Sequence, residues 1–261
     1  MRIKPKKSLG QNFLIDGNIR RKIISACAFS SQDIVLEIGS GRGELTRLVA
    51  EKVKKIFALE IDSRLIELLK NNLSGCKNSE VIHGDFLKFD LEGFLHKTKT
   101  KIKILGNIPY YITTPIIERC LEQKNKIEDI FITVQKEFAE RVIAVPGSKK
   151  FGSLSCFIQY YTLPEILFTI KKNSFFPVPK VDSSFLRLSI LEAPSVTVED
   201  EERFFKIIRA AFNKRRKTLK NSLKGTVPEE KLKQFFKEFK IDPLIRPECL
   251  SLQHFAALSK L

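Results

Sequence analysis

The chain has 261 residues, 43% hydrophobic and 29% charged, which is a globular rather than a disordered composition. Forty-six Lys and Arg against thirty Asp and Glu give a formal charge of +16, an excess that points to a polyanion, nucleic acid first and an anionic membrane surface second, unless it serves solubility alone. No apolar run approaches the roughly 18 residues of a spanning helix, no Cys or His cluster has metal-ligand spacing, and five scattered cysteines read as buried thiols of a reducing compartment; the expectation is a soluble, cytoplasmic protein with no metal.

The leader is basic, but Gly10, Gln11, Asn12 and Asp16 interrupt any signal-peptide core. From 33 to 135, short β-rich runs (Ile34–Ile38, Ile56–Ile61, Val81–Ile82, Ile102–Leu105, Ile130–Val134) alternate with amphipathic stretches such as Arg64–Lys70, for which Ser63 is a plausible N-cap. This alternation predicts a parallel sheet covered by helices on both faces. A helix around Ser153–Tyr161, a strand near Ile166–Ile170, the segment Phe175–Pro179 and a final strand Ser184–Ile190 follow. Residues 193–200 read as a linker, and Thr226 with Glu229 and Pro228 reads as a capping box for a helix over 228–239. Two domains are expected: 1–190 carrying the sheet, and an all-helical 191–261.

The candidate chemistry sits at the ends of successive strands, where open α/β sheets bind ligands. After the first strand, Glu37-Ile38-Gly39-Ser40-Gly41-Arg42-Gly43 lets main-chain N–H groups approach a ligand, with Gly39 and Gly41 as candidate contacts. Glu44 replaces the last glycine of the dinucleotide fingerprint and would repel a pyrophosphate, so the loop suits a nucleoside without phosphates, or is a bare turn. Glu60 ends the second strand, placed to accept from ribose hydroxyls; Asp62 reads as an exposed charge or a helix N-cap. Asp85 ends the third and can accept from an exocyclic amine, with Phe86 or Ile61 packed on an adenine ring. The fourth ends in Asn107-Ile108-Pro109-Tyr110, where two carbonyl acceptors and a ring suit an adenine amine and its base, unless Pro109 merely makes a turn.

Taken together, Glu37-x-Gly39-x-Gly41-x-Gly43, Glu60, Gly84-Asp85 and Asn107-Ile108-Pro109-Tyr110 resemble the S-adenosylmethionine-dependent adenine-N6 methyltransferases. The leader Lys7–Leu14 and the block Phe175-Phe176-Pro177-Val178-Pro179-Lys180-Val181-Asp182-Ser183 narrow the resemblance to the KsgA-type ribosomal RNA adenine dimethylases and the related Erm resistance methylases. The stretch Arg209–Asn221 favours the former; DNA adenine methylases resemble D-P-P-Y rather than N-I-P-Y at this point. One departure is Ile108, where the KsgA type commonly carries Leu; that residue contributes a backbone carbonyl, so little should follow.

The resemblance implies a Rossmann-like methyltransferase sheet with an antiparallel last strand, followed by a small helical domain. It implies S-adenosylmethionine as cofactor, S-adenosylhomocysteine as product, and dimethylation of two adjacent adenosines near the 3′ end of small-subunit ribosomal RNA. Cofactor positions carried over are Asn12, Leu14, Gly39, Glu60, Asp85 and Asn107; Gln11 of the same leader is counted with them. Asn107, Ile108, Pro109 and Tyr110 would hold the target base, with Tyr110 and Phe175 as its stacking faces unless Phe175 is a core residue. The expected partner is the assembling small ribosomal subunit, met by a monomer through Lys6, Lys7, Arg215, Arg216, Lys217 and Lys220, with no membrane contact. The rivals are an Erm-type large-subunit methylase and a non-catalytic assembly or transcription factor of the same fold.

Overall fold

A computed structural model describes residues 4–214 and 216–261, apart from the side chain of Lys7. The leader makes a two-residue strand β1 (Phe13–Leu14) and helix α1 (Gly17–Cys27), whose first turn is capped by Asp16 accepting from the amides of Asn18 and Ile19. Strands and helices then alternate: β2 (Ile34–Ile38), α2 (Glu44–Ala50), β3 (Lys55–Glu60), α3 (Ser63–Asn72), β4 (Ser79–His83), α4 (Leu91–His96), β5 (Ile102–Gly106), α5 (Thr113–Glu122), β6 (Ile127–Gln135) and α6 (Lys136–Val142). The cap of α3 is Asp62, not Ser63: its carboxylate accepts from the Arg64 amide, so the helix begins one residue earlier than expected. After α7 (Ser153–Tyr161) come β7 (Thr162–Ile170), β8 (Phe175–Phe176) and β9 (Ser183–Ile190), then α8 (Glu201–Asn213), α9 (Leu219–Ser222), α10 (Glu229–Glu238) and α11 (Leu252–Ser259).

The seven-stranded sheet has the order β4-β3-β2-β5-β6-β9-β7. Pairs β2·β3, β2·β5, β3·β4 and β5·β6 are parallel, and β9 runs antiparallel to β6 with Ile132 opposite Leu186. The strand order reverses at β2, where crossovers leave to either side; a crevice opens there, at the carboxyl ends of the strands. The nearly continuous apolar runs of β2, β5 and β6 are those of strands covered on both faces: Val35, Leu36, Ile104, Ile130 and Ile132 are fully buried. Two polar links stitch the strand starts: Lys103 to Asp33 at 2.9 Å, and Arg187 to Asp129 at 2.9 Å with Ser189 on the same carboxylate.

The chain divides into two compact units, one of residues 1–139 with 165–190 and one of 140–164 with 191–261. This differs from a single break at 190. Residues 140–164 go with the C-terminal helices because the aromatic face of α7 is built for them: Tyr160 lies on Phe204 and Phe205, and Phe157 on Phe205, with ring centroids 5.1 to 5.6 Å apart. Tyr160 and Tyr161 also donate to the Glu201 carboxylate. The predicted capping box at Thr226 is not formed; α10 starts at Glu229 with Pro228 at its cap, so no side chain closes its first turn. Among the described residues no helix is long and apolar enough to cross a membrane, and no cluster of His, Cys, Asp and Glu could hold a metal ion.

Candidate active site

The turn after β2 carries glycines at φ +73, +59 and +79 (Gly39, Gly41, Gly43), a conformation that costs other residues energy. They have different uses. A Cβ on Gly43 would meet Leu69 Cδ1 at 2.6 Å, so Gly43 lets α3 pack against the turn. At Gly39 the closest atom to an added Cβ is the Asn107 carbonyl oxygen at 3.8 Å, across the floor of a cavity. Glu44 turns away to Arg20 at 3.3 Å and opens α2 as its first residue.

Two acids stand behind this turn. Glu37, fully covered, accepts from Thr46 Oγ1 at 2.5 Å, and burial pushes its carboxyl up to about 7. Glu60 is 4% exposed and accepts from the amides of Gly41 at 2.7 Å and Asp62 at 2.8 Å. Burial still raises its pKa above the usual carboxylate range, so a further donor there would be favourable. A carboxylate has about four acceptor sites, which leaves capacity for a ligand hydroxyl.

The leader crosses this crevice as a strap. Leu9, Gly10, Gln11, Asn12 and Phe13 line one side of a cavity of about 70 Å³ whose other walls are Gly39, Gly41, Glu60, Ile61 and Asn107–Tyr110. β1 pairs with β8 (Phe13 opposite Phe176, Leu14 opposite Phe175), Arg20 donates to the Leu14 carbonyl at 2.7 Å, and the Arg42 guanidinium lies over the Phe13 ring. Asn107 Nδ2 donates to the Asn12 carbonyl at 3.1 Å. A carbonyl can only accept, so this bond fixes the amide with Nδ2 toward the strap and leaves Oδ1 as the acceptor Asn107 can offer a ligand. Tyr110 bonds through its hydroxyl to Ser183 Oγ at 2.6 Å, which fixes the ring at the cavity edge.

A second cavity of about 220 Å³ shares Leu9, Gly39, Ile61, Ile108 and Pro109 with the first and adds Ile38, Leu59, Gly84, Asp85, Phe86, Leu87, Tyr111, Ile112 and Ile116. It is mainly apolar with one carboxylate, the composition that suits a purine with an exocyclic amine. Asp85 accepts from the Leu87 amide at 3.0 Å, and Arg119 of α5 donates to the carbonyls of Leu87 and Phe89, holding this loop in place.

The structure thus gathers Gln11, Asn12, Gly39, Gly41, Glu60, Ile61, Asp85, Phe86, Asn107, Ile108, Pro109 and Tyr110 around one crevice. Other expectations need correction. Phe175 is 1% exposed and belongs to the core with Leu14, Ile23 and Phe185, so it cannot stack on an incoming base. Its neighbour Phe176, on the other face of the strand, is 53% exposed. Leu14 likewise buries its side chain in the core, which leaves only its backbone for a ligand. The Gln11 amide is occupied by Asp62 and Lys6. Of the basic candidates, Lys6, Arg216, Lys217 and Lys220 are exposed, but Lys220 is paired with Glu229 at 2.9 Å. Arg215 and the side chain of Lys7 lie outside the described residues. The expected helix start beside this run is a single turn, α9, closed by Thr218 accepting from the Asn221 amide, and it offers little free N–H. Gly10, Phe13 and Tyr111 were missed as wall residues, and the exposure of Phe176 was missed although alternation along Phe175-Phe176 was an available signal for it.

Comparison with known proteins agrees with this geometry. A protein-family model described as ribosomal RNA adenine dimethylase matches residues 2–261. Proteins named ribosomal RNA small subunit methyltransferase A are similar throughout: that of Geobacillus thermodenitrificans is 44% identical, covering 97% of this chain and 89% of that one. That of Shouchella clausii is 46% identical, covering 97% and 88%. Among solved structures, a dimethyladenosine transferase from Plasmodium falciparum superposes with a TM-score of 0.78 at 28% identity, covering 94% of this chain and 95% of that one. The 23S rRNA methyltransferase ErmE gives 0.76 at 26%, covering 95% and 98%. With a Rossmann-like methyltransferase sheet and a family match over residues 2–261, the chain belongs to the ribosomal RNA adenine dimethylases.

Proposed function

We propose that this enzyme transfers methyl groups from S-adenosylmethionine to N6 of two adjacent adenosines near the 3′ end of small-subunit ribosomal RNA, dimethylating each. The observation that carries the reading is the orientation of Asn107: its nitrogen donates to the Asn12 carbonyl, which leaves Oδ1 as an acceptor in the cavity wall, and in this reading the carbonyl of the adjacent Ile108 is the second. A pair of acceptors is what an exocyclic amine requires. The small-subunit choice is supported by the names of relatives more than 40% identical, whereas the large-subunit methylase ErmE is 26% identical.

The residues fit the cofactor. Gly39 leaves space above the Asn107 carbonyl, Glu60 is a desolvated carboxylate with acceptor capacity for ribose hydroxyls, and Ile61, Asp85 and Phe86 make an apolar slot with one acceptor for an adenine amine. When bound, the cofactor supplies an electrophilic methyl group on a sulfonium. The protein's contribution is to the nucleophile. N6 of adenine is a poor nucleophile because its lone pair is delocalised into the ring. Asn107 Oδ1 and the Ile108 carbonyl accept its two hydrogens and draw the nitrogen toward tetrahedral geometry, with the lone pair directed at the methyl. The same acceptors favour the positive charge that develops on nitrogen, and in-line positioning supplies much of the remaining barrier reduction. The product ammonium is acidic and loses its proton to water. The base reaches the site only when unstacked from its neighbours, and Tyr110, fixed by Ser183, supplies one stacking face.

The test is methyl transfer from labelled cofactor to small subunits lacking the modification, with large subunits and duplex DNA alongside. Label confined to two adjacent adenosines of the small-subunit RNA is the expected result. Label on large-subunit RNA would support the Erm-type rival, and cofactor-independent RNA binding with no transfer would support the non-catalytic one.

A further inference from the structure

The strap has to be ordered for Asn107 to be oriented, and its order is not inherent in its sequence. From Lys6 to Asn12 it has one short turn of 3-10 helix (Lys7–Leu9) and a glycine, Gly10, at φ +60. Such a segment gains conformational entropy on release unless side chains tie it down. Downstream of Asn12 the tie is the β1·β8 pairing. Upstream it is Gln11. The Gln11 side chain accepts from the Lys6 amide at 2.7 Å and donates through Nε2 to Asp62 Oδ2 at 2.9 Å.

Asp62 is a fixed anchor. It is 4% exposed, caps α3 through the Arg64 amide at 3.2 Å, and receives the Arg64 guanidinium at 2.6 and 2.9 Å. Its own amide donates to Glu60 Oε1 at 2.8 Å. The carboxylate that Gln11 grasps is therefore one residue-pair away from the acid placed on the ribose. The residue after Gln11 supplies the carbonyl that commits the Asn107 amide. We infer that Gln11 is a latch: a positioning residue that, by bonding Asp62, holds the strap closed along the cofactor crevice and keeps the Asn12 carbonyl against the Asn107 amide. This rests on the methyl-transfer reading above. It departs from the expectation that Gln11 touches the cofactor, because both ends of its amide are bonded within the protein. The Arg64 guanidinium holds the Asp62 carboxyl down at about 2, so the anchor is charged throughout the working pH range and the bond is charge-assisted.

The latch has a reciprocal test. Gln11→Glu sets two carboxylates against each other at the same size. It should speed dissociation of S-adenosylmethionine about tenfold or more, the scale expected for losing a charge-assisted bond. It should raise the cofactor KM more than it lowers kcat, and accelerate amide hydrogen exchange over residues 10–14. Adding Asp62→Asn restores a donor opposite the new carboxylate and keeps a side chain able to cap α3, while the half-exposed Arg64, whose Nη2 shares Oδ2 with Gln11, is free to turn to the new carboxylate. The double variant Gln11→Glu/Asp62→Asn should therefore recover most of the lost affinity and exchange protection. Recovery in the double variant is the result that a direct cofactor contact, or a general loss of fold, would not give. Unchanged cofactor dissociation in Gln11→Glu, or no recovery in the double variant, would overturn the latch. Failure of the wild-type enzyme to bind S-adenosylmethionine by calorimetry would overturn the functional reading instead.

Discussion

In the proposed mechanism the chemistry converges on Asn107, whose side-chain amide offers an acceptor just beyond β5 while donating to the Asn12 carbonyl of the strap. Asn107→Ala should leave the thermal unfolding midpoint near wild type and abolish methyl transfer in single-turnover assays; a folded variant keeping more than about a tenth of wild-type turnover, a loss under roughly 1.4 kcal/mol, would remove Asn107 from the mechanism. Glu37 makes a separate prediction at the same scale. Its carboxyl is raised from the ordinary value to about 7 by burial. An acid whose folded pKa is raised stabilises the fold fully below its unfolded pKa, and that contribution is lost as pH rises toward 7. Glu37→Gln keeps an acceptor for Thr46 and cannot ionise. The wild type should therefore lose on the order of 3 kcal/mol relative to this variant between about pH 4.5 and pH 7, measured by urea unfolding across that range. Glu60 was read from the sequence as an acceptor for ribose hydroxyls, whereas Glu37 was legible only as a motif residue. That Glu37 faces Thr46 is set by the packing of α2 against the end of β2, which no local signal gives.

Strand and helix placement followed from period and punctuation: β2 and α7 lie where the residues put them, and β5 and β9 extend one residue beyond expectation. What a sequence leaves open is which face of a two-residue strand turns inward, since one residue of register exchanges buried for exposed. That ambiguity produced the misplaced stacking residue in β8. Phe175→Leu should cost stability, as a core aromatic does on truncation, and Phe176→Ala should leave stability nearly unchanged while slowing transfer to RNA. The kinetic loss expected for a stacking ring is about 1–3 kcal/mol, read as kcat/KM for RNA at saturating cofactor. A silent Phe176→Ala would remove Phe176 from the target base. The strap was equally hard to read: Lys6–Phe13 has no period, and its position comes from bonds to residues 51 and 95 positions away.

At the scale of the whole molecule, the +16 charge sets the terms of RNA binding. The run after α8 was legible as basic, but not the pairing of Lys220 with Glu229, because ion partners come from other elements. Arg216→Ala/Lys217→Ala should reduce the log–log salt slope of RNA binding by about 1.5–2, with cofactor affinity unmoved; an unchanged slope would place the phosphate contacts elsewhere. The division of the chain into units was half legible, since no local signal tells that α7 belongs with α8 rather than with the sheet. The placement of β9 has a consequence for biosynthesis. It is the last strand made, yet it lies in the sheet interior between β6 and β7. Until Ser183–Ile190 leaves the ribosome, β6 holds open a nine-residue edge of which seven positions are buried in the finished enzyme, with the apolar run Ile130-Phe131-Ile132 at its centre, and Asp129 lacks Arg187. An unpaired edge of that length and composition is a template for aggregation. Chains terminated between residues 136 and 182 should partition into the insoluble fraction, whereas extension to 190 restores solubility. The interval in which β6 waits for its partner is therefore the one in which a nascent chain would gain most from chaperone cover.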